Sequence, residues 1–563
     1  MNRLDPAAGL RNACAQTNIL QSNIVYWILV IGGLLTFFAN ALVDNSVVFH
    51  DEYVYKAASD ARLSAAELYA KGAIEYIPNR LFILVYQAAS YGGQNFYIAA
   101  QFLNVVFWTV GLVFVCKLGQ LLGLQGRRLV AFAALAVLLP FSIYTKYFMP
   151  EAMYFCLFAV SAYLLFKGIS SGGLGTICAA GIVAGLAYYV KPHALIFIGV
   201  TLLFLALARA ETAGRWRTVG AYAAGCVLVI LVGTVLIQKP ESNARLGVYD
   251  QMVKGMMATS ATMFANLTDT LREVGKVGTG HAITLVSIWT ISLAAAVSAA
   301  YGVLRGKAVE PVDRAPRLFN MWLLLIMGAL VAMVIAFTVL VNEVGRIHSR
   351  YYCFAYPFLL LALFLYRPSQ HRRATKIAVT MLAFGAGLTL LMLPMYSGIM
   401  GISLVSDSPE LGFSFFPRIF VVAAVLLLIA SQAYMTWRTP VPAYVVLAAL
   451  FLTSQYYVRE AQAHMFRGPY TDGRDAVAVE QVLGPDALRG ALVIADSRDA
   501  VSKFLFNLTV VPTVTIRPFD KLEQLLLDYP AAPTYLFLSD KLEAVPGLAC
   551  EKLGPRVLRC HKL

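Results

Sequence analysis

Charge is scarce in this chain. Of 563 residues, 13% are Asp, Glu, Lys or Arg, against 59% hydrophobic; a soluble domain carries roughly 25% charged residues. That shortage, with a mean hydropathy of +0.69, excludes a wholly soluble protein and marks an integral membrane protein. Acid is scarcer than base: 31 Asp and Glu stand against 45 Lys and Arg, a formal net charge of +14. The surplus suits anionic head groups or phosphate-bearing substrates. Nucleic acid fits poorly, because the basic residues are scattered among apolar segments instead of gathered in one soluble domain. Low-complexity tracts and internal repeats are missing. Cysteine is present eight times but hardly ever in a pairing context. Cys116, Cys156, Cys178, Cys226 and Cys353 lie in or beside apolar segments, where they act as small hydrophobes, and Cys14 lies in the N-terminal tail. Only Cys550 and Cys560 look like a pair, flanking a turn at Gly554-Pro555. A disulfide there requires an oxidising compartment; a reduced hairpin is the alternative.

What is abundant is apolar length. Segments of roughly 17 to 25 apolar residues can cross a bilayer, and about thirteen occur. They lie near 24–43, 95–116, 127–143, 150–167, 174–190, 193–209, 218–237, 281–304, 318–341, 351–366, 377–396, 416–436 and 441–457. Ala39-Asn40-Ala41 fits a signal-peptide cleavage pattern, but the first segment is read as a span. The expected fold is therefore mainly α, a polytopic membrane helix bundle over residues 1–457. Interfacial helices are expected in the first outer loop, 44–94, and a small extracytoplasmic α/β domain over 458–563. Within that domain, strands are expected at 491–495, 510–516 and 534–538, helices at 497–507 and 519–529, then the cysteine hairpin. It has no Gly-rich phosphate loop and no nucleophile elbow, so a supporting or acceptor-binding role is expected. Asn266-Leu-Thr268 and Asn507-Leu-Thr509 match the glycosylation sequon, a weak signal.

Alternate connections are rich in Lys and Arg, which places them and the N-terminus in the cytoplasm. An odd number of spans then sends the C-terminal domain to the opposite face, the same compartment that the cysteine pair implies. The chemistry collects on that outer face. His50-Asp51-Glu52-Tyr53 follows the first span, and carboxylates beside hydrocarbon are costly to keep without a use. Glu151 opens the fourth span, Lys191 and His193 sit in a tight turn, and Arg346, His348 and Arg350 share a later loop. An acid near an acceptor hydroxyl can take its proton, and Lys or Arg can neutralise a departing phosphate. Each also has a plain structural role. The acids of the first loop could simply begin a solvated segment, and Glu151 suits a helix N-terminus. Lys191 and His193 suit interfacial anchoring, and the arginines could pair locally with Glu343. A divalent metal is left open, with His50, Asp51, Glu52 or His348 as N/O ligands; no ligand spacing is diagnostic, and no other cofactor is called for.

Taken in order, these residues resemble the GT-C superfamily of lipid-phosphosugar glycosyltransferases, in the branch of the lipid A aminoarabinose transferase and the protein O-mannosyltransferases. The resemblance rests on His50-Asp51-Glu52-Tyr53, Lys146-Tyr-Phe-Met-Pro-Glu151, Tyr189-Val-Lys191-Pro192, and Arg350-Tyr351 followed by Pro357. It implies an inverting transferase that moves a monosaccharide from a polyprenyl-phosphate carrier to a glycolipid, polysaccharide or protein hydroxyl at the periplasmic face of a bacterial inner membrane. Carried over, Asp51 or Glu52 is the base and Glu151 a supporting acid. Lys191 with Arg245, Arg272, Arg346 or Arg350 holds the donor phosphate, and His50, Tyr53, His193 and His348 are further substrate or metal contacts. Lys191-Pro192-His193 departs from the Lys-Gly-Pro frequent in relatives. A transporter or flippase of lipid-linked sugars is the rival from another class. It would place ionisable residues inside the spans, whereas here they sit in the loops. An O-antigen ligase or polymerase is a third reading.

Overall fold

The computed structural model describes residues 6–41, 50–59, 79–92, 95–208, 214–236, 267–304, 311–340, 347–365, 385, 441–466, 470–495, 504, 508, 512–516, 534–539, 545, 547–554 and 556–562. They form a large helical bundle and a small mixed sheet. The bundle runs α1 (Pro6–Ala41), α2 (His50–Ser59), α3 (Arg80–Ser90), α4 (Phe96–Leu121), α5 (Gly126–Val137), α6 (Glu151–Ser171), α7 (Leu174–Val190), α8 (Ala194–Ala208), α9 (Arg215–Leu236), α10 (Leu267–Leu304), α11 (Pro311–Leu340), α12 (Tyr356–Leu365) and α13 (Val441–Phe466). The protein is a membrane protein: among the described residues five helices are long and apolar enough to cross a bilayer, and three further apolar helices are shorter. Trp27, Leu35 and Phe38 on α1 and Leu231 and Val235 on α9 turn outward, as lipid-facing side chains do.

Where the helices end differs from the sequence reading, and prolines account for it. The expected span 127–143 breaks at Val137, and Pro140 starts a 3-10 turn (Pro140–Thr145) instead. A proline inside an α-helix loses a backbone hydrogen bond and crowds the preceding turn, which favours a break there. The expected span 351–366 likewise opens as two 3-10 turns before the ten-residue α12. Residues 81–92 form a helix of their own, α3. The expected spans 377–396, apart from Gly385, and 416–436 lie outside the described residues.

Tight seams hold the bundle. At Gly181 an added Cβ would sit 2.2 Å from the Tyr222 carbonyl oxygen, and at Gly225 2.2 Å from that of Cys178. Small residues let α7 and α9 touch backbone to backbone, the association mode that works where lipid removes the hydrophobic drive. Around α6, Phe158 packs against Phe197, Trp322, Phe354 and Phe358, tying α6, α8, α11 and α12 into one aromatic core.

Beyond α13, α14 (Tyr470–Gly490) kinks at Gly484 and leads into five strands: β1 (Leu492–Ala495), β2 (Thr513–Ile516), β3 (Tyr535–Leu538), β4 (Leu548–Gly554) and β5 (Val557–Lys562). Their order is β2-β1-β3-β5-β4, the first three parallel and the last two antiparallel. Val493, Leu536 and Leu538 join Ala476 and Val479 of α14 on one face, while Ile494, Tyr535 and Phe537 pack with Val545 and Leu558 on the other. Strands buried on both faces read as continuous apolar runs, which is how they appear in the sequence. Cys550 and Cys560 are register partners and are joined by a disulfide. The helices expected at 497–507 and 519–529 lie largely or wholly outside the described residues.

Candidate functional site

The site begins with a segment that is not α-helical. Between Pro140 and Pro150 the chain is buried throughout, so its backbone polar groups need partners other than their own helix. Helix α4 supplies them from one face. The Tyr97 hydroxyl donates to the Lys146 carbonyl at 2.5 Å, with Gln101 Nε2 on the same oxygen at 3.3 Å. Asn104 Nδ2 reaches the carbonyls of Tyr147 at 2.7 Å and Thr145 at 3.3 Å, and Tyr86 donates to its Oδ1. Asn40 at the end of α1 donates to Thr145 Oγ1 at 2.8 Å. This polar stripe was not singled out from the sequence, although three polar side chains on one face of an otherwise apolar helix are the signal that would have shown it.

Onto this scaffold α2 brings the acidic pair. Glu52 is fully buried, and its Oε2 accepts the Phe148 N–H at 2.9 Å. His50, Asp51 and Tyr53 belong to the same helix; their side chains lie outside the described residues. Two positions after Phe148, Pro150 caps α6 and sets Glu151 at its N-terminus, where the helix dipole favours a carboxylate.

Lys191 owes its place to the following residue. A residue before proline is pushed out of the α region. With Pro192 next, Lys191 adopts φ −147° and ψ 119°, ends α7 and faces α6. Its Nζ meets Glu151 Oε1 at 2.7 Å, with both side chains buried. Glu151 Oε2 has no hydrogen-bond partner among the described residues, so the carboxylate keeps one oxygen in reserve.

The 3-10 turns before α12 complete the arrangement. Lys191 Nζ lies 5.3 Å from the centre of the Tyr351 ring and Arg350 Cζ 5.2 Å from it, so one aromatic ring gathers two cations. His193 packs edge-on to Tyr154 and Tyr351, and His348 to Tyr351 and Phe337. Glu151, Lys191, His193, His348 and Arg350 therefore form one cluster. Asn79 ties it to α2: its Oδ1 accepts from Tyr55 at 3.3 Å and its Nδ2 donates to the Val190 carbonyl at 2.5 Å. Nothing in the sequence flagged Asn79. Arg272 is exposed on the first turns of α10, and Arg245 and Arg346 lie outside the described residues. No group of three or more His, Cys, Asp or Glu side chains is placed to hold a metal ion among the described residues.

No protein-family model matches the chain, and no characterised sequence matches it. Solved structures do. ArnT from Cupriavidus metallidurans, bound to undecaprenyl phosphate, superposes with a TM-score of 0.53 at 15% identity, over 95% of this chain and 97% of that one. The apo form of the same protein gives 0.53 at 14% identity over the same shares. The chain has the fold of the GT-C glycosyltransferases. At that identity the likeness speaks for the fold alone. Within the GT-C architecture the polar cluster built here from α2, α6, α7 and the turns before α12 sits at one end of the bundle, where the N-terminus of α6 meets the C-terminus of α7.

Proposed function

We propose that this protein is an inverting glycosyltransferase that moves a monosaccharide from a polyprenyl-phosphate donor to a hydroxyl of a glycolipid, polysaccharide or protein. The reaction takes place at the outer face of a bacterial inner membrane, with the soluble domain on that side. The observation that carries the reading is the buried Glu151–Lys191 pair with Arg350 gathered on the same Tyr351 ring. One carboxylate and two cations leave a positive surplus in a water-poor place, which suits a phosphate that gains charge as it departs.

In this mechanism the acceptor oxygen attacks the anomeric carbon opposite the phosphate. The new C–O bond forms as the carbon–phosphate oxygen bond breaks, the electron pair stays on the phosphate, and the acceptor proton passes to a carboxylate of the Asp51-Glu52 pair. Glu52 already accepts the Phe148 N–H, and taking a proton would weaken that bond. Asp51 is therefore assigned as the base and Glu52 as the residue that holds α2 against residues 146–149. Lys191 and Arg350 steady the leaving phosphate, and Glu151 orients Lys191. His193 and His348 pack around the cations and shape the pocket for the sugar. Arg245, Arg272 and Arg346 stay as candidate donor contacts, and a divalent cation at the free oxygen of Glu151 is compatible with the chemistry.

The test gives the purified full-length protein a panel of polyprenyl-phospho-monosaccharides and measures transfer to glycolipid, glycan and protein acceptors. Transfer from at least one donor, lost in Asp51→Asn, is the expected result. Full transfer by the Asp51→Asn, Glu52→Gln double variant would overturn the assignment.

A further inference from the structure

One contact joins the soluble domain to the acidic helix. Lys56 lies one helical turn after Glu52 on α2, and its Nζ donates to the Leu508 carbonyl at 2.8 Å. Leu508 is 2% exposed and belongs to the core that packs one face of the sheet, with Val493, Phe504 and Leu536. The same ammonium stands 5.5 Å over the Phe96 ring. Phe96 meets Phe148 edge-on at 4.9 Å, and Phe148 supplies the N–H that holds Glu52. Lys56 is thus bonded on one side to the core of the soluble domain and on the other to the aromatic bed beneath Glu52.

A half-buried lysine often serves only to anchor a helix. Two features go beyond anchoring. The acceptor is a main-chain carbonyl of the C-terminal domain, 452 positions away in the sequence, so the bond forms only when that domain is seated. Lys56 and Glu52 also lie on the same helical face, at the spacing where a shift of one carries the other.

We propose that Lys56 is a positioning residue through which the seated soluble domain sets the register of α2, and with it the placement of the Asp51-Glu52 pair. The domain then acts on turnover and not only on acceptor capture. This rests on the reading of the acidic pair as the proton-accepting group.

The experiment compares Lys56→Met, which keeps a long unbranched side chain but loses both the donor and the charge over Phe96, with Lys56→Arg, which keeps both. Full-length proteins in nanodiscs are followed by amide exchange in peptides covering 50–59 and 504–508, and by steady-state transfer. Lys56→Met is expected to speed exchange in both peptides and lower kcat about tenfold with donor KM within about twofold, as a small misplacement of a reacting group does. Lys56→Arg is expected to restore both. Unchanged exchange over 50–59, or a changed KM with unchanged kcat, would overturn the proposal. If no polyprenyl-phospho sugar is turned over by the wild type yet Lys56→Met still loosens both peptides, the transferase reading falls while the coupling of domain and helix survives.

Discussion

The two halves of the site are held by different physics. Around Glu52 the bonds described above include neutral dipoles: carbonyls of 145–147 bonded by Tyr97, Gln101 and Asn104, and a backbone N–H on the carboxylate. Around Lys191 the restraint is an ion pair buried between two helix ends, with a second cation across an aromatic ring. Dipole bonds fix geometry with little dependence on the protonation of a neighbour. A buried pair is stable only while both partners are charged, and removing one leaves the other stranded. In the proposed reaction the first half would aim a group and the second would respond to charge arriving and leaving.

Breaking each half should therefore fail differently. Asp51→Asn is expected to give the largest loss, about a thousandfold in kcat with little change in thermal stability, in line with loss of a general base; an assay and a melting curve read both. Lys191→Ala leaves Glu151 charged and buried, and is expected to destabilise by about 3–5 kcal/mol. The Lys191→Met, Glu151→Gln pair should recover most of that stability without recovering transfer, and a double-mutant cycle by denaturant unfolding measures the coupling. Recovered transfer would show that the pair is structural. Asn79→Ala cuts the link between the halves and orphans the Val190 carbonyl, a cost of about 1–3 kcal/mol; its signature is faster amide exchange in α2 with the Glu151–Lys191 turn preserved. Reduction of the Cys550–Cys560 disulfide should have the smallest effect on the site. It closes a short loop and contributes about 2–4 kcal/mol to the C-terminal α/β unit, seen as a lower melting temperature for that unit.

How far the sequence reached can be judged from single residues. Glu151, Lys191, His193, His348 and Arg350 were legible because ionisable groups stand out against an apolar background, and they do meet. The strands at 491–495 and 534–538 were legible as short apolar runs, and the cysteine hairpin from its turn. The break at Val137 was not read, although Pro140 was visible, because the apolar run continues past it to Ile143 and hydropathy carries no record of hydrogen bonding. Asn79 and Asn104 escaped notice because neutral amides are common, and their worth depends on which carbonyls lie opposite.

By itself the sequence determined that the chain belongs in a membrane, which ionisable residues stand out against the apolar background, and that a small α/β unit follows the bundle. Those properties follow from transfer free energies and local propensity, which are written residue by residue. Only the tertiary structure decided that Glu151 takes Lys191 as its partner, that Tyr351 gathers two cations, and that Lys56 reaches the C-terminal α/β unit. Such pairings join residues 40, 160 and 452 positions apart, and no local pattern encodes which distant groups the packing of helices will bring within bonding distance.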